Sequence, residues 1–328
     1  MDIDYSKIKK ILVITLNNIG DVILTTSVIS LLRERFPSAY LATVVGPKAE
    51  MVLIQSKIID QIFIYDKRAS WWTKFKFVAR LRRERFDLVV DLKNTAVPFL
   101  VNPRYRTPIG LDRSLPLMRE QHLSRLQFLM PVTFEEENRF DFFSEEEELS
   151  TVGKFRQCTA QSFSSDFIAL ALGTRMPLKQ WNISGFAQVA LYFLEKGRTV
   201  VIVGGKDEVA LGQEFERLIQ KPVVNLIGKL SLRELAALFS HASLVIANDS
   251  APLHLALELN RPVVGLFGPT DEIKCGRRGA KFYRIRLPLD CAPCEQARCR
   301  LERRICLDDL PATSVIQACE ELLSGATN

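Results

Sequence analysis

Residues 243–267 form the stretch SLVIANDSAPLHLALELNRPVVGLF. Apolar runs at 243–247 and 262–267 flank a helix-like stretch at 251–259. Both runs are continuously apolar, a pattern typical of strands that are buried on both faces of a parallel sheet. The stretch therefore predicts a strand, a helix and a second strand, the repeating unit of doubly wound α/β domains.

The same alternation runs through the whole chain. Further apolar runs typical of strands lie at 11–16, 40–45, 61–65, 87–91, 167–172, 199–204 and 222–227. Helix-like stretches lie at 21–36, 47–55, 71–85, 183–197, 207–219 and 231–240. Because the series occurs twice, we predict an α/β fold with two Rossmann-like, doubly wound parallel-sheet domains.

The two series are joined by a weakly patterned stretch from Ser144 to Asp166. The chain has 328 residues, which fits two domains of ~100–200 residues each. We place the first domain at 1–160 and the second at 161–311. A final helix within 312–328 follows Pro311, and it could pack on either domain.

Composition excludes several classes of protein. The chain is 47% hydrophobic and 25% charged, as globular proteins are, which argues against a disordered or fibrous protein. No run approaches the ~18 consecutive apolar residues of a transmembrane helix, and the first residues do not resemble a signal peptide. We therefore expect a cytoplasmic protein, in which the seven cysteines are free thiols or metal ligands.

The formal charge of +6 is unevenly distributed. Eight basic residues lie within 66–86, interleaved with Trp71, Trp72, Phe75 and Phe77. Two interpretations are open: a helix that packs an aromatic face on its own sheet, or a patch for an anionic membrane surface or acidic lipid. No nucleic-acid motif is recognisable, so we expect no nucleic-acid partner.

The first strand is followed by the turn LNNIGD at residues 16–21. In doubly wound sheets ligands bind outside the carboxyl ends of the strands, so this turn faces the binding site. Asp21 is expected at the N-cap of the next helix, where it either only caps the helix or acts as a general base. The turn is not GxGxxG, which argues against a dehydrogenase.

Three further strand ends carry candidate residues. Small residues that open the helix after 243–247 provide a site for a diphosphate at a helix N-terminus. His254 lies one turn further along that helix and is either packed or functional. Arg175 and Lys179 could neutralise phosphate, and Glu208 could accept hydrogen bonds from ribose hydroxyls, unless these loops are merely basic or glycine-rich.

Four segments together resemble glycosyltransferase family 9, the bacterial heptosyltransferases that build the inner core of lipopolysaccharide. They are NNIGDVILTT (17–26), KQW (179–181), VVIVGGKDE (200–208) and ANDSAPLHLALELNRPVVGLFGPTDE (247–272). The resemblance runs in order from residue 11 to about 320. It implies the GT-B architecture, in which two Rossmann-like domains face a central cleft. It also implies ADP-heptose as donor, inversion at the anomeric carbon and no catalytic metal.

The resemblance also implies roles for individual residues. Asp21 matches the catalytic base of the family, and Lys179 matches the lysine that contacts the donor phosphates. Asp249, Ser250, Ala251 and His254 match the donor loop, although Ser-Ala replaces the usual Thr-Gly. We add Thr174 and Glu208 to this expected donor set, and Asn18 and Lys93 as expected acceptor-binding residues. Asn17 and Asn18 occupy positions where members of the family often carry Arg.

The expected partners follow from the same resemblance. They are a nucleotide-sugar donor, a lipid-linked glycan acceptor such as the lipopolysaccharide core and, through peripheral contact, the anionic inner face of the cytoplasmic membrane. Two other function classes stay open: a sugar-nucleotide epimerase of similar fold, and a binder of nucleotide or glycan without turnover.

A cysteine cluster lies near the end of the chain, as Cys291-x2-Cys294-x4-Cys299-x6-Cys306. Four thiolates at such spacing could hold a structural zinc ion. The alternative is that they are free or packed thiols. No catalytic metal is expected.

Overall fold

The computed structural model describes residues 3–325, except 16, 111–113, 136, 138, 160–162, 164–165 and 296–297. The chain divides into two compact units, Met1–Phe142 and Phe143–Asn328. Among the described residues, no helix is both long enough and apolar enough to cross a bilayer.

The described part of the first unit contains a five-stranded parallel sheet. Its order is β3-β2-β1-β4-β5. The strands are β1 (Lys10–Ile14), β2 (Tyr40–Val45), β3 (Gln61–Ile64), β4 (Leu88–Asp91) and β5 (Tyr105–Arg106). The helices are α1 (Ile19–Arg35), α2 (Glu50–Leu53), α3 (Trp71–Arg83), α4 (Val97–Val101) and α5 (Met118–Leu123).

The described part of the second unit is built around a six-stranded parallel sheet in the order β11-β10-β9-β6-β7-β8. The strands are β6 (Phe167–Ala171), β7 (Thr199–Val203), β8 (Val224–Asn225), β9 (Leu244–Asn248), β10 (Val263–Leu266) and β11 (Phe282–Ile285). The described helices are α6 (Glu145–Cys158), α7 (Ile183–Glu195), α8 (Val209–Ile219), α9 (Leu232–His241), α10 (Ala251–Glu258), α11 (Ile305–Asp308) and α12 (Ala312–Leu323).

The strands are buried, which explains why continuous apolar runs in the sequence predicted their positions. Residues Ile11, Leu12 and Val13 of β1 are fully buried, as are Val245 and Ile246 of β9. Side chains on alternate residues of a strand point to opposite faces, so both faces of each sheet must be covered by helices. The predicted fold class, two doubly wound α/β domains, is therefore confirmed.

The predicted boundary near residue 160 differs from the one in the structure, which falls between Phe142 and Phe143. Residue 160 itself lies outside the described residues. The stretch that we treated as a weakly patterned connection contains α6, which is closed at its start by a capping box between Ser144 and Glu147. This helix packs on α9 of the second unit and therefore belongs to that unit.

Ion pairs hold α6 on α9. The Glu147 carboxylate lies 2.5 Å from Nε of Arg233, and Lys154 Nζ lies 2.5 Å from the Glu234 carboxylate. Thr151 Oγ1 also donates to the Glu234 carbonyl, at 3.1 Å. These partners lie about eighty residues away in sequence, so the local pattern could not reveal the helix.

The C-terminal helix, whose packing partner the sequence left open, packs on the second unit. Val315 and Cys319 of α12 are fully buried in the same apolar core as Phe186 and Phe193 of α7. Trp181 belongs to this core as well, and its indole N–H donates to the Leu310 carbonyl just before α12.

Candidate functional site

The strand order of the second unit reverses between β6 and β9, where ligands bind in doubly wound sheets. Asn248, at the end of β9, is fully buried and joins the loops of the two strands. Its Oδ1 accepts a hydrogen bond from the Trp181 amide at 2.8 Å, and its Nδ2 donates to the Leu172 carbonyl at 2.9 Å. Asn248 therefore fixes the loop that carries Lys179 against the loop that carries Asp249.

Lys179 and Asp249 form a nearly buried ion pair at this reversal. Lys179 Nζ donates to Asp249 Oδ2 at 2.6 Å, and the two side chains are 19% and 8% exposed. His254 Nε2 lies 3.8 Å from Asp249 Oδ1. Burial alone would raise the pKa of Asp249, but the neighbouring His254 and Lys179 hold it below its usual value. The structure thus brings together three residues that the sequence placed in the donor set.

Cys275 is a member of this cluster that sequence analysis missed. Its Sγ donates to Asp249 Oδ1 at 3.7 Å. Burial, and then the Asp249 carboxylate, raise the pKa of the thiol well above its usual range, so Cys275 is a neutral donor here. Cys275 comes from the loop after β10, and no local motif marked it.

Ser250 and Ala251 begin α10 beside this ion pair. Ser250 is the N-cap and has an extended backbone. Its Oγ donates to the Asn248 carbonyl at 3.2 Å. Its hydroxyl therefore makes no side-chain cap, and the first turn of α10 is not closed by its own N-cap residue. Both residues are half-buried, so the start of the helix is reachable by a ligand. The positive end of the helix dipole favours an anion here, although Pro252 has no N–H and the Leu253 N–H already donates to the Ser250 carbonyl.

Glu208 lies at the same edge of the sheet, against the ends of β6 and β7. A Cβ on Gly173 would lie 2.0 Å from Glu208 Oε1, and one on Gly204 would lie 2.3 Å from Oε2. These two positions therefore need glycine for Glu208 to keep its place. Burial raises the pKa of Glu208; the Gly205 amide, which donates to Oε2 at 2.8 Å, partly opposes this. Thr174, which follows Gly173, is half-buried at the same edge.

Asp21 of the first unit is not the N-cap that we expected. The helix α1 begins at Ile19, with Asn18 as N-cap, so Asp21 is its third residue. The sequence misplaced the helix start because the turn before it carries two asparagines, which are also good N-caps. Asn18 Nδ2 donates to Asp21 Oδ2 at 2.8 Å. Asp21 is half-buried and Leu16, the first residue of the predicted turn, lies outside the described residues.

Lys93 follows β4, the neighbour of β1, at the same edge of the sheet in the first unit. Its side chain lines a cavity of about 500 Å³ that also reaches Asn17. Burial, followed by the nearby Lys67, lowers the pKa of Lys93, while Asp91 opposes the shift. Asn18 does not belong to the described lining of this cavity; it contacts Asp21 instead.

Helix α3 combines features of both interpretations of the basic aromatic segment. Phe77 packs against Phe63 and Tyr65 of the sheet edge, with ring centroids 6.5 and 5.2 Å away. Trp71 and Trp72 instead stack on each other at 3.7 Å and are 63% and 58% exposed. The helix therefore both covers its sheet and presents aromatic rings to solvent.

The four clustered cysteines are not assembled into a metal site. Cys291 and Cys299 are exposed, Cys294 is half-buried and Cys306 is buried, and all are free thiols. Within the described residues, no three of their sulfur atoms lie within 4.8 Å of one another. Burial raises the pKa of the Cys306 thiol, and the other three cysteines are near enough to add to this. A structural zinc ion stays a prediction.

The chain is similar in sequence to known glycosyltransferases. The family described as glycosyltransferase family 9 (heptosyltransferase) matches residues 121–305. Lipopolysaccharide heptosyltransferase 3 of Escherichia coli is 29% identical over 340 aligned residues, which cover 94% of this chain and 97% of that protein. The matched family range contains Lys179, Asp249 and His254 but not Asp21.

Two solved structures have the same fold. A glycosyl transferase family 9 protein from Veillonella parvula superposes with a TM-score of 0.80, at 23% identity, over 99% of each chain. The Escherichia coli ADP-heptose lipopolysaccharide heptosyltransferase II gives a TM-score of 0.75, also at 23% identity, over 97% of this chain and 99% of that one. These similarities identify the architecture as GT-B.

Proposed function

The chain belongs to glycosyltransferase family 9, and we propose that it transfers a heptose from ADP-heptose to a glycan of the lipopolysaccharide core, with inversion and without a catalytic metal. The chain is a glycosyltransferase. One observation carries the finer proposal: the Lys179–Asp249 pair lies beside the start of α10, at the strand-order reversal of the second unit. A lysine ammonium beside a helix start favours a diphosphate here.

The diphosphate of the donor would be bound by two kinds of positive group. The Lys179 ammonium is a point charge, and the start of α10 supplies the Ala251 N–H and the positive end of a helix dipole. Pro252 has no N–H, and the Leu253 N–H donates to the Ser250 carbonyl at 3.1 Å. The ammonium and the helix start both stabilise negative charge, which grows on the leaving diphosphate as the glycosidic bond breaks. Glu208, with Thr174 beside it, would accept hydrogen bonds from the ribose hydroxyls.

Asp21 would act as the general base. An inverting transfer needs a group that takes the proton of the acceptor hydroxyl as that oxygen attacks the anomeric carbon. The hydrogen bond from Asn18 fixes one carboxylate oxygen of Asp21 and leaves the other able to accept the proton. Asn18 is thus a positioning residue for the base in this proposal, and Lys93 an acceptor-binding residue.

The residues near Asp249 are poorly suited to a catalytic cation in the arrangement described. Asp249, His254 and Cys275 each offer a ligand atom, all within 4.8 Å of one another. However, the Lys179 ammonium already contacts Asp249, and the raised pKa of Cys275 disfavours the thiolate that binds metals. Metal independence, with Lys179 and α10 carrying the charge, is therefore part of the proposal.

The acceptor and the cellular site are also proposed. A lipid-linked glycan would be met at the anionic inner face of the cytoplasmic membrane by a cytoplasmic, peripherally bound enzyme. The support is α3, where exposed Trp71, Trp72 and Phe75 lie among basic residues. Tryptophan rings favour the headgroup level of a bilayer, and basic side chains favour anionic lipids.

The test combines product analysis with a base variant. The wild type, given ADP-heptose and a core glycan, should release ADP in the presence of a chelator, and NMR of the product should show the inverted anomer. Asp21→Asn should lower turnover by ~10²–10⁴-fold, the usual effect of losing a general base, with unchanged ADP affinity.

The matched control is Asp66→Asn, which removes an exposed carboxylate from the β3–α3 loop of the same unit. Its turnover should equal that of the wild type. Full activity of Asp21→Asn would return Asp21 to a structural role in the first turn of α1. Retention of configuration would contradict the inverting mechanism, and release of a free epimerised sugar nucleotide would favour the epimerase.

A further inference from the structure

The cavity of the first unit is a second feature with the dimensions of a binding site. It lies between α3, α4 and the carboxyl ends of β1 and β2, and Val78, Leu100, Ile14 and Val44 contribute to its wall. Its volume of about 500 Å³ falls within the ~300–1,000 Å³ of small-molecule sites. Leu100 is half exposed, so the cavity is open to solvent.

The wall of this cavity is mainly aliphatic and aromatic. Three lining residues carry hydroxyl groups, Thr15, Tyr65 and Thr95, and both threonine hydroxyls are already used as donors within the protein. Thr15 Oγ1 donates to the Val44 carbonyl at 2.8 Å, and Thr95 Oγ1 donates to the Asp91 carboxylate at 2.9 Å. A sugar ring would need several partners for its hydroxyls, because buried polar groups are costly when they lack hydrogen bonds. The wall instead favours a hydrocarbon.

Three cations lie around this apolar wall: Lys74 and Arg82 on α3, and Lys93 after β4. The acidic group nearest to Lys93 is already engaged, because the Asp91 carboxylate accepts hydrogen bonds from the amides of Lys93 and Thr95 at 2.9 and 2.6 Å. The lowered pKa of Lys93 reflects burial and a like charge, and a bound anion would relieve both. The charge at the cavity therefore complements an anionic group.

We propose that this cavity binds one hydrocarbon chain of an amphiphile whose phosphate or carboxylate head contacts Lys74, Arg82 and Lys93. The cavity reaches Asn17, next to the N-cap Asn18 of the helix that carries Asp21, so the head lies beside the start of the helix of the proposed base. If the proposed function is correct, the acceptor is held through a lipid chain as well as through its glycan. In such binding one hydrocarbon chain enters the cavity, whereas adsorption of α3 on a bilayer would leave the lipid chains in the bilayer.

The test uses hexyl, octyl and decyl phosphate, each as monomers, titrated calorimetrically into the full chain without donor. A buried methylene contributes ~0.8 kcal/mol, so affinity should rise about 15-fold for each two carbons added. Val78→Phe fills the cavity and should weaken octyl phosphate binding at least about tenfold. Ile64→Phe, a matched change outside the lining, should not. Equal affinity for all three chain lengths overturns the proposal.

Two further variants keep the test decisive if Val78→Phe disturbs folding. Leu100→Ser removes part of the apolar wall at a half-exposed position and should also weaken octyl phosphate. Lys93→Met should weaken octyl phosphate about tenfold, the effect of one charge-assisted hydrogen bond, and leave neutral octyl glucoside unchanged. Lys76→Met loses the same charge on α3 outside the cavity and should change neither.

Unchanged binding in both Leu100→Ser and Lys93→Met would refute the site. Retained ADP affinity reports that each variant is folded. Because no donor or turnover enters this assay, chain binding without heptosyl transfer would contradict only the proposed function.

Discussion

The Lys179–Asp249 pair allows a quantitative test of the donor site. Lys179→Met keeps the length of the side chain and removes its charge, which leaves the Asp249 carboxylate, 8% exposed, without its closest cation. Breaking a buried pair from one side costs ~3–5 kcal/mol. Lys179 is 19% exposed and the His254 imidazole lies 3.8 Å from Asp249, so we expect a smaller loss of about 2 kcal/mol in the free energy of unfolding.

Asp249→Asn removes the other partner and leaves Lys179 without its carboxylate. Because this more exposed side chain can turn toward water, we expect a loss of only about 1 kcal/mol in the free energy of unfolding. The double variant leaves no unpaired charge. We therefore expect it to lose about 1.5 kcal/mol, only half of the sum of the single losses. Urea unfolding at pH 7 measures all three. As a control, Lys196→Met breaks an exposed pair with Glu320, whose side chains are 48% and 41% exposed, and should leave the free energy of unfolding unchanged.

The pH dependence gives an independent check. The folded protein holds the pKa of Asp249 below the usual 3.8, so its contribution to stability is present above pH 3.8 and is lost as the pH falls further. The difference between wild type and Lys179→Met should therefore narrow below pH 3.8. If the losses of the two single variants simply added in the double variant, Lys179 and Asp249 would not stabilise the protein as a pair. The same conclusion would follow if the difference in stability between wild type and Lys179→Met did not change with pH.

The same variant tests the donor role. A diphosphate is common to ADP and ADP-heptose, so Lys179→Met should weaken both ligands by a similar factor of about ten, as measured by calorimetry. Unchanged affinity for both would remove Lys179 from the donor site.

Three further changes address other parts of the molecule. Gly173→Ala should displace the Glu208 carboxylate and weaken ADP binding about tenfold, as measured by calorimetry. The control Gly205→Ala, whose Cβ meets nothing within 4 Å, should bind ADP as the wild type does. Equal ADP affinities of the two variants would exclude Glu208 from ribose binding. Hydrogen bonds from Lys154, Ser150 and Ser231 outweigh burial and lower the pKa of Glu234 from 4.5 to about 2, so its stabilising effect is full above pH 4.5 and is lost toward pH 2. Glu234→Gln should therefore cost about 2 kcal/mol in urea unfolding at pH 7 and flatten the pH dependence between 4.5 and 2; an unchanged slope would contradict this. Replacing Trp71 and Trp72 with Ala should abolish sedimentation with anionic vesicles at low salt without changing octyl phosphate affinity, and continued sedimentation would exclude these rings as the membrane contact.

The sequence predicted the strands well and the ends of the helices less well. A run such as PVVGLF at 262–267 is apolar because both faces of β10 are covered, so its own composition reveals it. The acidic start of α6 shows no apolar stripe, since that helix is held by ion pairs with distant residues. The predicted N-cap position of Asp21 was wrong: the N-cap is Asn18, three residues earlier, because local patterns locate helix ends poorly.

The sequence predicted only part of the candidate site, because some of its residues act through contacts between distant segments. Lys179, Asp249 and His254 each lie in a recognisable strand-end segment, and the sheet brings these segments together. Cys275 and the buried Asn248 side chain act through contacts between loops, which a linear sequence does not display. The cavity beneath α3 depends on how two helices pack, and no motif encodes it.

The attachment of α6 to the second unit matters for building chimeras. Exchanging donor specificity between relatives requires a cut that moves a complete domain, and a cut near residue 160 would leave α6 with the wrong parent. The recipient α9 would then meet a foreign surface in place of Glu147 and Lys154, although Arg233 and Glu234 are only 6% and 9% exposed. Breaking a fully buried pair from one side costs ~3–5 kcal/mol; Lys154 is 33% and Glu147 16% exposed, so we expect about 2 kcal/mol for each mismatched pair, a large part of the stability of a typical domain. A fusion point between Phe142 and Phe143 keeps these partners on one piece of chain.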